Sequence, residues 1–213
     1  MAEMKALIKI CGITNLDDAR AAVDAGADML GLIFVETSPR KVDIEEAKKI
    51  AAELRGLVKL VGVLVDAAPT NMLALQEMLG LNYIQCHGSE SVKSYEDVKP
   101  VIKAISIDGA NDWKQEMAMH RQSAELLLLD KPKSLNDDRW LDRTLDALSP
   151  SDNMPDFLFA GGLTAENVES TLARLRIIPG FKGIDVASGV ETSPGKKDHK
   201  KMYTFCRKIR EVS

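Results

Sequence analysis

The stretches FLFAGGLTAENV at residues 157–168 and GIDVASGVETSPGKKD at residues 183–198 decide the predicted fold. In each stretch, an apolar run suited to a buried strand ends in small residues, which leave backbone N–H groups uncovered for an anion. Thr164 is expected to cap a helix over residues 165–174, whose positive end would face the same anion. In parallel α/β barrels, a phosphate pocket of this kind is built by the loops after strands seven and eight.

Eight apolar runs of strand length alternate along the chain with segments of helical spacing. The runs are mostly continuous rather than alternating, as expected for parallel strands that are covered on both faces. They lie at residues 6–10, 29–34, 58–65, 82–86, 101–107, 126–130, 157–160 and 183–187. Eight strand–helix units predict a (β/α)8 TIM barrel that forms a single domain over residues 1–213. An open doubly wound sheet is the alternative, but it would not require eight units.

Helix ends are clearest in the first half of the chain. Glycine follows three segments of helical spacing: residues 16–25 before Gly26, residues 43–55 before Gly56 and residues 70–79 before Gly80. Glycine is the usual residue just after a helix. Asp43 and Glu46 have the spacing of a capping arrangement at a helix start.

Bulk properties exclude several classes of protein. The formal net charge of -4, without any Lys/Arg-rich block, argues against a nucleic-acid partner. No stretch approaches the roughly 20 apolar residues of a membrane span, and the start of the chain lacks the pattern of a secretory leader. The three cysteines are widely spaced and odd in number, which favours free thiols in a cytoplasmic protein. The oligomeric state stays open.

Reactive side chains follow several of the predicted strands, where a barrel of this kind carries its active site. They are Cys11 after the first run, Arg40 after the second, His87 after the fourth, Asp130 at the end of the sixth and Asp185 within the eighth. Each has a structural alternative: a small buried residue for Cys11, a loop cap for Asp130, a surface ion pair for Arg40 and a backbone-bonded neutral imidazole for His87. Together they predict one site on one rim.

A metal site and a cysteine nucleophile are not predicted. Cys11, Cys86 and His87 lack the close-spaced second pair of a zinc site. Cys86 and His87 are adjacent on a strand, so their side chains point to opposite faces. Cys206 lies in a helical pattern and is interpreted as core packing.

Short motifs distributed over almost the whole chain resemble the phosphoribosylanthranilate isomerase family of tryptophan biosynthesis. Besides the two opening stretches, they are KICGIT (9–14), SPRKV (38–42), VGVLVD (61–66), IQCHGSE (84–90), VIKAI (101–105) and LLLD (127–130). The resemblance implies a (β/α)8 barrel and an Amadori rearrangement of N-(5-phosphoribosyl)anthranilate, a small phosphorylated substrate. It implies no cofactor and no metal.

The resemblance also implies roles for individual residues. Cys11 falls on the family's general base and Asp130 on its general acid, while Arg40 would hold the anionic aromatic end of the substrate. The substrate would also meet His87, and Asp185 would bind a sugar hydroxyl. The phosphate would be bound by Gly161, Gly162, Ser188 and Gly189. A cysteine is a useful base only as a thiolate, so we expect positive potential beside Cys11, from a helix N-terminus or from the substrate iminium.

One segment departs from the family pattern. After its general acid the family usually has a loop resembling GGTGKTFDW, whereas KPKSLNDDRW (131–140) contains no glycine. We hypothesise that Lys131 or Lys133 partly replaces the missing amide contacts; the alternative is a solvated charged loop. A smaller departure is Cys86, where the family often has leucine. Two functional alternatives remain: a related phosphosugar isomerase, and a phosphosugar-binding paralogue with reduced or lost activity.

Overall fold

Eight parallel β-strands close into a barrel in a computed structural model of the protein, which describes residues 5–108, 112–132, 135–150 and 154–212. Each strand pairs with the next along the chain, and the first pairs with the eighth. The strands are β1 Leu7–Cys11, β2 Met29–Ile33, β3 Lys59–Leu64, β4 Tyr83–Cys86, β5 Val101–Ser106, β6 Leu126–Asp130, β7 Phe157–Phe159 and β8 Phe181–Val186. The predicted barrel is confirmed, and every predicted apolar run overlaps one strand.

Helices cover the outside of the barrel. They are α1 Leu16–Asp24, α2 Ile44–Leu54, α3 Pro69–Leu79, α4 Trp113–His120, α5 Trp140–Ala147, α6 Val168–Leu175 and α7 His199–Glu211. Asp43 caps α2 as predicted, because its side chain accepts hydrogen bonds from the N–H groups of Glu45 and Glu46. The Glu46 carboxylate binds the N–H of Leu16 in α1, so it ties two helices together. Gly80 ends α3 in the left-handed conformation, at φ 60°.

Two helix predictions are wrong. The segment between β4 and β5 contains only a 3-10 helix, Val92–Ser94, so the barrel lacks one of the eight expected strand–helix units. Tyr95 and Val98 are fully buried there and cover the barrel in place of a longer helix. The helix expected from residue 165 starts at Val168. The Thr164 N–H donates to Asn167 Oδ1 and Thr164 Oγ1 accepts from the Glu166 N–H, so these residues form a turn before the helix begins.

The core has two layers. One set of buried residues lies between the barrel and its helices, and a smaller set fills the barrel interior, including Val61, Ile102, Leu128 and Leu158. Three polar side chains interrupt this apolar interior: Lys9, Gln85 and Asp185 are all nearly or fully buried. Burying polar groups costs free energy, so three of them together in an apolar interior mark the part of the barrel where chemistry is expected.

After β8 the chain forms a 3-10 helix, Ser188–Val190, and a hairpin of β9 Glu191–Ser193 and β10 Lys196–Lys197. The hairpin is fixed to the end of β1, since Thr14 Oγ1 donates to the Gly195 carbonyl over 2.6 Å. No helix in the described part of the chain is both long and apolar enough to span a bilayer. That the whole of residues 1–213 forms one domain stays a prediction.

Candidate active site

A cavity of about 940 Å³ opens at the C-terminal ends of the strands. The structure brings all nine predicted site residues into its lining: Cys11, Arg40, His87, Asp130, Gly161, Gly162, Asp185, Ser188 and Gly189. A smaller cavity of about 590 Å³ adjoins it between β4, β5 and α4 and contains only His87 of this set. The larger cavity is therefore the candidate active site, because reactive groups from six separate strand ends meet there.

Cys11 lies beside a buried ion pair. Lys9 Nζ donates to Asp185 Oδ1 over 2.9 Å, and the lysine side chain is fully buried. Burial raises the pKa of the Cys11 thiol, and the nearby Asp185 charge raises it further, while Lys9 and Lys197 act to lower it. The positive potential expected beside Cys11 thus comes from lysine side chains.

Arg40 is anchored to a buried carboxylate. Its Nε and Nη2 donate to the two oxygens of Glu191 over 2.8–3.1 Å, and the Glu191 side chain is only 3% exposed. Glu191 also accepts from Lys197 Nζ at 2.9 Å. Burial alone would raise the pKa of Glu191, but the hydrogen bonds from Arg40 and Lys197 outweigh it and lower that pKa. Arg40 is therefore a fixed cation at the cavity wall rather than a mobile surface charge.

The same network reaches the backbone of the candidate base. Lys197 Nζ donates to the carbonyl oxygen of Cys11 over 2.6 Å, and its side chain is fully buried. Gly12 follows with φ 76°, and a Cβ at that position would lie 2.8 Å from Arg40 Cδ. Only glycine lets the β1 end and the Arg40 side chain approach so closely. Residues of β1, β10 and the segment after β2 are thus locked together.

Asp130 ends β6 and faces His87 across the cavity. His87 Nε2 lies 3.4 Å from Asp130 Oδ2, and Gln85 Nε2 lies 3.0 Å from His87 Nδ1. If Gln85 donates to Nδ1, the imidazole carries its proton on Nε2 and directs it at the carboxylate. Asp130 Oδ1 accepts from the N–H of Lys131 over 2.8 Å. The His87 ring is therefore held by side chains, with its backbone N–H donating separately to the Leu64 carbonyl.

The glycine turns after β7 and β8 form the opposite end of the cavity. Gly161 and Gly162 have φ values of 99° and 68°. In the described part of the chain, the N–H groups of Gly161, Gly162 and Ser188 donate to no protein acceptor. A Cβ on Gly189 would lie 1.9 Å from the Leu163 carbonyl oxygen, so the two turns touch. The arrangement offers converging amide donors, which suit a phosphate.

The segment after Asp130 approaches the phosphate end through side chains. Lys131 lines the cavity, but its ammonium group donates to the Asp137 carbonyl over 2.8 Å. Trp140 stacks on Phe159 with ring centroids 5.9 Å apart, and its indole N–H donates to Ile107. A Cβ on Gly161 would collide with the Trp140 ring. Lys133, the second lysine of the hypothesis, lies outside the described residues.

Comparison with known proteins places this chain in a family. The model of the family described as N-(5'-phosphoribosyl)anthranilate (PRA) isomerase matches residues 8–208. The chain belongs to that family. A relative with the same name from Acidithiobacillus ferrooxidans is 38% identical over 206 residues, which cover 95% of this chain and 97% of the relative. Another from Cellvibrio japonicus is 38% identical over 205 residues, covering 95% and 93%.

Solved structures of PRA isomerases have the same fold. One from Thermotoga maritima is 33% identical, with a TM-score of 0.84 over 97% of this chain and 99% of that chain. A second PRA isomerase structure, a complex with reduced 1-(o-carboxyphenylamino)-1-deoxyribulose 5-phosphate, is 33% identical with a TM-score of 0.80 over 97% and 99%. That structural relative binds a small phosphorylated compound. Within the described residues of the present chain, no group of three or more His, Cys, Asp or Glu side chains can hold a metal ion.

Sequence reasoning missed the residues that support the site: Lys9, Gln85, Glu191 and Lys197. Lys9 was detectable, because it lies two residues before Cys11 in an apolar strand and therefore shares the face of the candidate base. Glu191 and Lys197 lie in a quoted motif, but no local pattern indicates that a hairpin after β8 contacts β1. Gln85 likewise sits in a quoted motif, and its Oε1 is buried without a partner among the described residues.

Proposed function

We propose that this protein isomerises N-(5'-phosphoribosyl)anthranilate to 1-(2-carboxyphenylamino)-1-deoxyribulose 5-phosphate in tryptophan biosynthesis, with Asp130 as general acid and Cys11 as general base. One observation carries the proposal: this chain, a member of the family, holds a carboxyl group, a thiol, an anchored arginine and a set of free amides in a single cavity. These groups meet the needs of the substrate, which has a carboxylate at one end, a phosphate at the other and a sugar between them.

The first step opens the sugar ring. Asp130 donates its proton to the furanose ring oxygen, and the C1–O bond breaks with its electron pair going to that oxygen. The nitrogen lone pair forms the C1=N bond, which leaves a protonated Schiff base. Asp130 lies at the end of β6 on the cavity wall, with His87 Nε2 at 3.4 Å to stabilise the carboxylate that remains.

The second step moves a proton from C2. The Cys11 thiolate takes that proton, the C2–H electron pair forms the C1=C2 bond, and the C1=N electrons return to nitrogen. The resulting enolamine becomes the ketone when O2 loses a proton and C1 gains one. Each movement is a proton transfer, so the step needs no cofactor from outside the chain.

Two binding ends orient the substrate in this proposal. Arg40 binds the anthranilate carboxylate with the N–H groups that Glu191 leaves free, since a planar guanidinium suits a carboxylate. Gly161, Gly162, Ser188 and Gly189 bind the phosphate through their amides. Asp185 uses the oxygen that does not bind Lys9 to accept from a sugar hydroxyl. His87 contacts the sugar beside Asp130.

Replacement of the acid and the base tests these roles. Cys11→Ala and Asp130→Asn should each lower kcat by about 10² to 10⁴-fold, the usual contribution of a positioned proton-transfer group. Turnover is followed by the loss of substrate fluorescence, and circular dichroism and the melting temperature verify folding. A variant that keeps near-parental turnover would remove that residue from the mechanism.

The other two thiols supply matched controls. Cys86 and Cys206 are fully buried among the residues between barrel and helices, away from the cavity lining. Cys86→Leu and Cys206→Ala should keep kcat, so a loss specific to Cys11 would be due to its chemistry and not to the absence of a thiol. The cytoplasmic location stays a prediction, and the three free cysteines are compatible with it.

A further inference from the structure

Lys9 is a charged residue in the apolar interior of the barrel. It is 0% exposed, on a strand whose Leu7, Lys9 and Cys11 side chains share one face. Lysine is almost never fully buried unless it is paired. Its partner is Asp185 on β8, which stands opposite Lys9 in the strand register with Oδ1 at 2.9 Å. Burial acts to lower the pKa of Lys9, but the charges and hydrogen bonds of Asp185 and Cys11 together outweigh it and raise that pKa, so Lys9 carries a positive charge.

The ammonium group and the thiol meet over Gly31 of β2. A Cβ at Gly31 would lie 2.7 Å from Cys11 Sγ and 3.1 Å from Lys9 Nζ, so both atoms occupy the space that the missing side chain leaves. Lys9 lies two residues before Cys11 on the same face of β1, so its position brings the charge to the sulfur as well as to Asp185.

Charges on three strands act on Cys11. Lys9 and Lys197 favour its thiolate, whereas burial and the Asp185 carboxylate oppose it. The Glu191 carboxylate balances the charge of Lys197, with Oε1 2.9 Å from Lys197 Nζ. Nζ also donates to the Cys11 carbonyl oxygen rather than to the sulfur. Further titratable groups that line the same cavity are Arg40, His87, Asp130 and Lys131.

We propose that Lys9 is a positioning residue, whose ammonium group stabilises the thiolate of Cys11 against the burial that disfavours it and so makes the base easier to ionise. When the thiol ionises, its proton passes to water in the open cavity, and the sulfur keeps the electron pair that later takes the C2 proton. Asp185 holds Lys9 in place and sets the limit of the effect, because its own negative charge opposes the thiolate. The inference rests on the proposed function for the use of the thiolate, but the ionisation itself exists without substrate.

Alkylation of the thiol measures this ionisation without any turnover. Purified full-length protein is treated with iodoacetamide between pH 6 and 10.5, and the modified residue is identified by mass spectrometry of peptides. Only thiolate reacts, so the rate against pH gives the midpoint of Cys11, and where a midpoint lies above this range the ratio of rates at one pH gives its shift from the parent. Burial raises the pKa of Cys86 and Cys206 to about 12, which keeps both thiols protonated over this range. Cys11→Ala gives the background.

The Cys11 midpoints of four variants should fall in a fixed order. Lys9→Met removes the cation and leaves Asp185 in place, so the Cys11 midpoint should rise by about one pH unit or more. Lys9→Met with Asp185→Asn should raise it less, and Asp185→Asn alone should lower it below the parent. Lys9→Arg should restore the parental midpoint. The double variant avoids an unpaired buried carboxylate, so it keeps the test open if Lys9→Met does not fold.

Lys103→Met is the matched control. Lys103 is also a fully buried lysine paired with an acid, Glu90 at 3.0 Å, but it lies on β5 and its ammonium binds Gly88, away from Cys11. Its loss should leave the Cys11 midpoint unchanged. An unshifted midpoint in Lys9→Met, or a rise in Asp185→Asn, overturns the inference. If the parent turns over substrate while Lys9→Met alkylates like the parent, only this inference fails; if the midpoints shift as stated but the parent shows no turnover, only the proposed function fails.

Discussion

At the scale of single residues, the site depends on the absence of a side chain at one position of β2. Gly31 carries no side chain at the point where Cys11 Sγ and Lys9 Nζ meet, and it pairs with Cys11 in the strand register. Its carbonyl also accepts from the N–H groups of Gly12 and Ile13 at 2.9 and 3.0 Å. The base, its cation and the backbone turn after β1 are thus all built around one glycine.

Gly31→Ala should therefore damage catalysis more than folding. The added methyl would lie 2.7 Å from Cys11 Sγ, so the thiol must shift, and a displacement of about 1 Å can cost about 10²-fold in rate. We expect a loss of that order in kcat, measured by steady-state fluorescence at saturating substrate. The control is Gly62→Ala in β3, whose methyl would meet Leu81 Cδ1 at 2.6 Å on the helix side. It should lower the melting temperature and keep kcat per folded molecule; equal kcat in both variants would contradict the prediction.

At the scale of elements, the strands and the first three helices could be predicted, whereas two later connections could not. Each strand is a local apolar run, and closure of the barrel follows from eight such runs in order. The segment from Gly88 to Pro100 folds differently from the prediction, because Tyr95 and Val98 bury themselves without a helical repeat. The start of α6 shifted because Asn167 Oδ1 accepts the Thr164 N–H, a bond that no spacing rule indicates.

The residues of the site also divide into those that the sequence predicts and those that it does not. Cys11, Asp130 and the glycine turns lie at strand ends, where the fold itself predicts reactive groups. The partners that fix them come from far along the chain: Glu191 meets Arg40 across 151 positions, and Lys197 meets Cys11 across 186. Such contacts depend on how the hairpin after β8 packs against β1. That packing is a property of the folded chain and leaves no periodic pattern in the sequence.

The segment 131–140 carries the element-scale prediction. Lys131 lines the cavity and is held by the Asp137 carbonyl, where it can attract an anionic substrate. Lys131→Ala with Lys133→Ala should raise KM several-fold, about the effect of removing one or two charges, with a smaller change in kcat. The parental KM should also rise between low and high salt, because screening weakens the attraction.

Arg139→Ala is the control for this segment. Arg139 is an exposed cation of the same loop and lies outside the cavity lining. Its loss should leave KM close to the parental value. If the double lysine variant has the parental KM at low salt, the segment is a solvated charged loop without a role in binding.

At the scale of the whole molecule, buried ion pairs make the free energy of unfolding depend on pH in the acidic range. Glu191 and Glu90 are paired with Lys197 and Lys103, and these bonds lower both carboxyl pKa values although burial opposes the shift. The unfolded chain then binds protons more readily than the folded chain below the ordinary Glu value of 4.5. Stability from these pairs is present above that pH and is lost as the pH falls through the folded-state pKa values.

Urea unfolding at several pH values measures this effect. The free energy of unfolding of the parent should fall as the pH drops from 5 to 3, and Glu191→Gln should show a smaller fall, since one such carboxylate is missing. Glu77→Gln, on the exposed face of α3, should keep the parental slope. A slope in Glu191→Gln equal to the parent's would show that the Glu191 pair contributes nothing to acid sensitivity.

The barrel of this chain should turn over phosphoribosylanthranilate rather than only bind it. The most direct measurement follows the fluorescence of that substrate after addition of the purified parent protein, with Cys11→Ala alongside. We expect a decay that is proportional to protein concentration, follows saturation kinetics and is nearly absent in Cys11→Ala. Binding of the substrate analogue without any decay in the parent would contradict it, and would identify the protein as a phosphosugar-binding member of the family that has lost the reaction.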